Sequence, residues 1–142
     1  MNDQSPINNS QTITNDQITK NQTGNGKRPF DLEKRTTNFA KAVIRLCRTL
    51  PVNSINIKLV GQLVASSGSV GANYREANDS LSKKDFLFRL KITRKEAKES
   101  EHWLDLLSEA NHGLKYDSEI IGLRREAVEL KSIFSSIITK SG

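Results

Sequence analysis

The chain has 142 residues, of which 35% are hydrophobic and 27% are charged, and its formal net charge is +6. This length favours one domain with a modest core, and no apolar run approaches the roughly 20 residues that span a membrane. The basic balance permits a polyanionic partner such as RNA or DNA without requiring one. A single cysteine, Cys47, excludes an internal disulfide, and the lack of a hydrophobic signal core predicts a cytoplasmic protein.

Residues 1–29 are predicted to form a disordered tail. Sixteen of the first 26 residues are Asn, Gln, Ser or Thr. Such a segment buries too little apolar surface to offset the entropy lost on ordering. We interpret it as a passive solvated arm, either a natural extension or the product of a misplaced start codon. Residues 30–142 are predicted to form the folded domain.

The first two helices are predicted between residue 31 and about residue 77. Asp31 is the expected cap of the first helix, and Pro51 stops that helix because proline lacks an amide donor. Ser54 is the expected cap of the second helix, which runs to about Ala77. The apolar residues of the first helix recur at helical spacing, and they are Phe39, Val43, Leu46 and Leu50.

The third and fourth helices follow a turn-rich break. Ser82 is the expected cap of the third helix, with Asp85 three residues on in a loose capping box. The helix ends near His112-Gly113, and the fourth begins at Asp117 or Ser118. No period-2 strand pattern appears. The sequence therefore predicts an all-α fold, an antiparallel up-down-up-down four-helix bundle with short links.

A run of very small residues from Ala65 to Gly71 occupies the middle of the second helix, broken only by Val70. Glycine costs roughly 1 kcal/mol relative to alanine in a helix interior, and this run contains two glycines. The run indicates close approach of a neighbouring helix or, as an alternative, a buried polar cluster inside the bundle.

The third helix carries two apolar stripes. The first is predicted to face the core and consists of Phe86, Leu90, Thr93, Ala97, Ser100, Leu104 and Leu107. The second lies more than a third of a turn away and consists of Phe88, Ile92, Trp103 and Leu106. One core covers only one such face fully, so the second stripe is predicted to be a homo-oligomer interface with Trp103 as its anchor. The alternative is a wide core that covers both stripes.

A third face of the same helix is basic. Residues 83–98 contain seven basic and two acidic residues. The candidate nucleic-acid-binding residues are Lys84, Lys91, Lys95 and Lys98, with the pair Arg124 and Arg125 on the fourth helix. A row of lysines along a helix can track phosphates, although a solvated face balanced by nearby glutamates gives the same pattern. No aromatic residue interleaves with the lysines, so base stacking is not indicated.

Catalytic chemistry is poorly supported. The sequence has only two histidines, and Glu99-Ser-Glu-His102 is a lone Glu-x-x-His motif where a di-iron bundle needs two. Gly68-Ser-Val-Gly71 lies inside a helical pattern and not between a strand and a helix, as a phosphate loop would. We therefore predict no enzyme activity, no catalytic residue, no metal and no cofactor.

Three motifs in order resemble the bacterial four-helix-bundle proteins that are called 23S ribosomal-RNA intervening-sequence proteins. The first is Phe30-Asp-Leu-Glu, the second includes Ser69-Val-Gly-Ala-Asn73 and Glu76, and the third comprises Ser82-Lys-Lys-Asp-Phe86, Lys95-Glu-Ala97 and Glu99-Ser-Glu-His-Trp-Leu104. The resemblance covers about residues 30–138. Ser69, Asn73 and Glu76 are its structural signature, which either ties helices together or marks a functional surface.

The resemblance implies an antiparallel bundle that assembles as a ring, often a homopentamer. It also implies a relationship to the accessory proteins of diversity-generating retroelements, which bind a reverse transcriptase and nucleic acid. Two hypotheses follow. The first is a homo-oligomeric scaffold whose basic surface binds RNA or DNA, and the second is an adaptor that docks a protein partner such as a reverse transcriptase.

Overall fold

The computed structural model describes residues 31–141, and in that range it contains four α-helices and no β-strand. They are α1 (Leu32–Cys47), α2 (Ser54–Asn78), α3 (Lys83–Ala110) and α4 (Leu114–Ser141). Helix α2 packs on α3, and α3 packs on α4. This packing lies within one compact unit that begins at Thr36. The predicted all-α class with four packed helices is confirmed.

Some sequence predictions concern residues outside the described range. The predicted tail, residues 1–29, and the Phe30 that opens the first family motif both lie there. Within residues 31–141, no helix combines the length and the apolar character that crossing a membrane requires.

Two of the predicted helix caps are confirmed. The backbone N–H of Lys34 donates to Oδ1 of Asp31 at 3.2 Å at the start of α1. The backbone N–H of Asp85 donates to Oγ of Ser82 at 3.1 Å at the start of α3. Each side chain satisfies a donor that the first turn of a helix leaves without an intrahelical partner.

The predicted cap of α2 is wrong by one residue. Asn53, in an extended conformation, accepts a hydrogen bond from the backbone N–H of Asn56 at 2.8 Å. Ser54 is instead the first helical residue. Asparagine and serine are equally good caps, so local preference alone does not choose between adjacent candidates.

The predicted start of α4 is also wrong, because the helix begins at Leu114. Gly113 adopts a φ of 132°, a conformation that favours glycine, and turns the chain after α3. Its carbonyl accepts the N–H groups of Tyr116 and Asp117 at 3.1 and 3.2 Å, so Asp117 lies in the first turn. An acidic side chain there is stabilised by the helix dipole, which explains why the sequence marks this residue as a start signal.

The predicted core positions are buried with few exceptions. On α1 and just after it, all four predicted positions, residues 39, 43, 46 and 50, are buried. On α3 the first stripe is buried from Leu90 to Leu107, and only Phe86 is half-buried. On α4 the buried residues include Ile120, Ala127, Leu130 and Phe134. On α1 and α3 the spacing of apolar residues therefore identified the inward face.

The small-residue run of α2 serves both purposes that its sequence indicates. A Cβ atom at Gly71 would lie 3.2 Å from Oγ1 of Thr36, so the glycine allows α1 to come close. Ser66 and Ser100 share a buried hydrogen bond of 2.9 Å between α2 and α3. Gly68, in contrast, is exposed, and a Cβ atom there would meet nothing within 4 Å.

A buried pair of amides joins the start of α2 to the end of α3. Nδ2 of Asn56 donates to Oδ1 of Asn111 at 2.8 Å, and Nδ2 of Asn111 donates to Oδ1 of Asn56 at 2.9 Å. The remaining amide protons go to the carbonyl oxygens of Pro51 at 2.8 Å and Leu107 at 3.0 Å. Because the bonds are reciprocal, the pair fixes the register of α2 against α3.

Candidate functional site

A groove between α3 and α4 brings together five cationic side chains. Its volume is about 620 Å³. It is lined by Lys91, Arg94, Lys95, Lys98, Val128, Lys131, Ser132 and Ser135. Among these described lining residues there is neither an acidic nor an aromatic side chain. The groove therefore offers concentrated positive charge and two hydroxyl groups to an anionic ligand.

Helical periodicity explains why these residues share one groove. Residues three, four and seven apart lie on the same face of a helix. On α3, the other three cations lie three, four and seven residues after Lys91. On α4, the other three lining residues lie at the same intervals after Val128. Because α3 packs on α4, the two faces form the two walls.

Two of the five cations, Arg94 and Lys131, are half-buried and held by hydrogen bonds, and we call them the inner cations. Nη1 of Arg94 donates to Oγ of Ser135 at 3.3 Å across the groove. Nζ of Lys131 lies 2.9 Å from Oε1 of Glu101, with the two side chains 33% and 28% exposed. These contacts connect α3 with α4 and fix both cations in position.

The other three cations, Lys91, Lys95 and Lys98, are exposed, and we call them the outer lysines. Lys95 lies 3.9 Å from Oε2 of Glu99, one turn further along α3, and its side chain is 68% exposed. An exposed pair at that distance contributes little energy, so a ligand displaces the carboxylate at small cost. The outer lysines are therefore available to an anion that approaches from solvent.

Three of the six basic residues predicted from the sequence line this groove, and they are the outer lysines. Lys84 and Arg125 are exposed and are not among the described lining residues. Nη1 of Arg124 lies 3.5 Å from Oδ1 of Asp105, an ion pair between α4 and α3 outside that lining. A role in nucleic-acid binding stays a prediction for all six.

Sequence reasoning missed both inner cations. Arg94 lies three residues after Lys91 and four before Lys98, so helical spacing alone could have placed it on the basic face. Lys131 lies on a different helix, about 33 residues beyond Lys98. Its position depends on how α4 lies against α3, which the sequence pattern of one helix does not show.

The second apolar stripe of α3 is partly open to solvent. Phe88 is 60% exposed and Leu106 is 37% exposed, while Ile92 and Trp103 are half-buried. The ring of Trp103 packs edge-on against that of His102 with centroids 4.9 Å apart. The core therefore covers this stripe incompletely, and its role as an oligomer interface stays a prediction.

The signature residue Asn73 links α2 with α3. Its Oδ1 accepts a hydrogen bond from Nη1 of Arg89 at 3.1 Å, and its Nδ2 donates to the carbonyl of Ser69 at 2.9 Å. Glu76 is exposed, and its backbone carbonyl accepts from Oγ of Ser80 at 3.1 Å. For Asn73 these contacts favour the structural reading of the signature over a functional surface.

The lone thiol is not activated for nucleophilic chemistry. Burial raises the pKa of Cys47 to about 11, so the thiol keeps its proton at neutral pH. Within residues 31–141 no group of three or more His, Cys, Asp or Glu side chains is placed to hold a metal ion. The expectation that the protein is not an enzyme stays a prediction.

Comparison with solved structures identifies a similar bundle. A protein of unknown function from the S23 ribosomal protein family of Bacteroides thetaiotaomicron is 29% identical, with a TM-score of 0.68. The match covers 76% of this chain and 98% of the other. No curated protein is significantly similar to this sequence.

Comparison with protein families gives a match over most of the helical region. The model for the 23S rRNA-intervening sequence proteins matches residues 29–136, which span more than three quarters of the chain. The chain therefore belongs to the family of 23S rRNA-intervening sequence proteins.

Proposed function

We propose that this protein is a non-enzymatic scaffold that binds RNA or DNA through the groove between α3 and α4. The observation that carries the proposal is the convergence of five cations from two helices on one groove. Arginine and lysine side chains bind phosphate groups well, and a nucleic acid presents phosphates in a repeated array. The protein acts in the cytoplasm, without a membrane, a metal or a cofactor.

The recognition is directed at the sugar–phosphate backbone. Among the described lining residues no aromatic ring is available to stack on a base. Lysine and arginine contacts to phosphate position a nucleic acid but do not read its sequence. Binding is therefore weakly sequence-dependent and strongly salt-dependent, and Lys84, Arg124 and Arg125 extend the positive field beyond the groove.

The binding unit is a homo-oligomer of antiparallel bundles. An antiparallel course is supported by the order of side-chain bonds between α2 and α3, in which residues 56, 66 and 73 meet residues 111, 100 and 89. Self-association is supported by the exposed ring of Phe88. A ring, with five copies as the family resemblance implies, repeats the groove and converts weak contacts into avid binding.

Titration of the protein with fluorescent RNA at about 50 and 200 mM salt tests the nucleic-acid proposal. We expect binding that weakens steeply with salt and is lost in the double variant Lys91→Glu/Lys98→Glu. Lys41→Glu/Lys140→Glu is the matched control, because it reverses the same charge at exposed residues of α1 and α4. Equal loss in both double variants would reduce the proposal to a net-charge effect.

Light scattering tests the assembly. We expect a mass above that of one chain, and a lower mass for Trp103→Ala and Phe88→Glu because both alter the exposed stripe. Leu81→Glu is the matched control, since Leu81 is 99% exposed and lies outside the stripe. An unchanged mass for Phe88→Glu and Trp103→Ala would contradict the assignment of this stripe.

A second candidate is an adaptor that docks a protein partner, such as the reverse transcriptase of a retroelement. The exposed apolar stripe around Phe88 also favours this candidate, because such surfaces bind protein partners. The two candidates differ in salt dependence and in gene context. Partner binding that is insensitive to salt, together with a neighbouring reverse-transcriptase gene, would favour the adaptor.

A further inference from the structure

We infer that the groove between α3 and α4 receives a single nucleic-acid strand in preference to a duplex. The inference rests on the proposed function and specifies which form of nucleic acid the groove admits. It follows from the arrangement of the five cations in two tiers, the inner cations Arg94 and Lys131 and the three outer lysines.

The inner cations are less exposed than the outer lysines, and a ligand that enters the groove makes the closest contact with them. Arg94 and Lys131 are half-buried, and each is held from the opposite wall, Arg94 by Ser135 and Lys131 by Glu101. The outer lysines, in contrast, extend into solvent from α3. A ligand that remains outside meets mainly the outer tier, whereas one that enters meets both.

The shape of the groove favours a single strand at the inner tier. A duplex is a stiff rod with a persistence length of about 150 base pairs, so it does not bend into a short groove of about 620 Å³ and rests on the outer lysines. A flexible single strand can follow a basic groove with its sugar–phosphate backbone and so reach Arg94 and Lys131.

The length of the cationic row matches a short stretch of one strand. Lys91 and Lys98 are seven residues apart on α3, which is about 10.5 Å along the helix axis. A row of that length contacts a few consecutive phosphates of one strand, so the groove is a short site on a longer ligand.

Arg94 is the residue that distinguishes the two forms of nucleic acid. Its guanidinium keeps further N–H groups beyond the one that donates to Ser135, and it is planar and suited to bidentate contact with a phosphate. The bond to Ser135 holds the side chain in place before the ligand arrives, so less rotamer entropy is lost on binding. Loss of Arg94 should therefore weaken binding of a strand that enters and leave a duplex on the outer lysines little affected.

The test compares an oligouridine strand with the same strand annealed to oligoadenosine, using the full chain and fluorescence anisotropy. For wild type we expect the single strand to bind at least about fivefold more tightly than the duplex at equal salt. Arg94→Gln should weaken single-strand binding by about tenfold, as loss of a hydrogen bond to a charged group does, with less than twofold effect on the duplex. Lys98→Gln, in the outer tier, should weaken both ligands alike.

Lys131→Gln provides a second inner variant if Arg94→Gln alters the fold, and circular dichroism melting shows whether either variant remains folded. Equal affinity for the two ligands, or equal weakening of both by Arg94→Gln and Lys131→Gln, would overturn the single-strand inference and leave the proposed function standing. If neither ligand binds with salt dependence, the proposed function fails and the inference fails with it.

Discussion

The two sides of α3 are built from different chemistry. Toward α2 the side-chain bonds include two buried, uncharged pairs, Asn56 with Asn111 and Ser66 with Ser100. Toward α4 the bonds are charged and only partly buried, as between Glu101 and Lys131, and a groove remains open. We call these the closed side and the open side of α3.

This difference shows how one helix can stabilise the bundle with one face and offer a binding surface with the other. Neutral amides and hydroxyls are desolvated at modest cost when each finds a partner, so the closed side fixes the register of the helices. Cations are costly to bury, so on the open side they remain near water, where a phosphate can reach them. Changes on the closed side should therefore alter stability, and changes on the open side should alter binding.

The largest effect is expected at the buried amide pair. Asn111→Ala leaves the Oδ1 and Nδ2 atoms of Asn56 without their buried partner and should lower the free energy of unfolding by about 2–3 kcal/mol. Urea denaturation measures the change, and Asn38→Ala, at an exposed position of α1, is the control. A change below about 0.5 kcal/mol would show that the amide pair does not hold the closed side together.

A pair of glycines in α2 tests the packing of that helix next. Gly71→Leu places a side chain against Thr36 and should cost about 2 kcal/mol, a typical overpacking penalty. Gly68→Leu in the same helix meets open space and should be neutral or stabilise by up to about 1 kcal/mol through helix propensity. The melting temperature of Gly71→Leu should therefore fall while that of Gly68→Leu stays the same or rises, and equal shifts would contradict the packing described for Gly71.

On the open side, a substitution should affect RNA binding more than stability. Lys131→Gln removes a half-buried ion pair that still reaches solvent and should lower the free energy of unfolding by about 1 kcal/mol at most. The same change should weaken RNA binding, because Lys131 is an inner cation of the groove. Urea denaturation and anisotropy on one preparation compare the two effects, and a large loss of stability with unchanged binding would reverse the assignment of the two sides.

The smallest effect is expected at Cys47, and it is measured as the rate of thiol modification. A pKa of about 11, in place of the 9.0 of an unperturbed thiol, lowers the thiolate fraction near neutral pH by about a hundredfold. The folded-state pKa is raised, so the protonated thiol favours the folded state at neutral pH, and this contribution is lost as pH rises toward 11. A disulfide reagent should therefore modify Cys47 slowly in the folded protein and rapidly in urea, whereas equal rates would show that the thiol is not shielded.

Much of the fold was predictable because apolar spacing follows the helix period. The stripe from Leu90 to Leu107 on α3 was identified without a structure, since each helix has one inward face. Helix ends were less predictable, as Asn53 in place of Ser54 shows, because neighbouring residues are equally good caps. The start of α4 depended on the backbone conformation of Gly113, which composition does not determine.

The candidate site was predictable only in part. Lys91, Lys95 and Lys98 share a face of one helix, so the sequence pattern places them together. Lys131 joins them only through the packing of α4 on α3. To predict a site built by two helices, one must know the register of one helix against the other. That register is set partly by side-chain pairs, which the helical periodicity of the sequence does not show.

The most direct test of the central claim is lysine footprinting, in which amine modification is read by mass spectrometry with and without single-stranded RNA. We predict protection of Lys91, Lys95, Lys98 and Lys131, and unchanged modification of Lys41 and Lys140. Unchanged modification of the groove lysines in a sample where RNA is bound would contradict the claim that the open side of α3 is the nucleic-acid site.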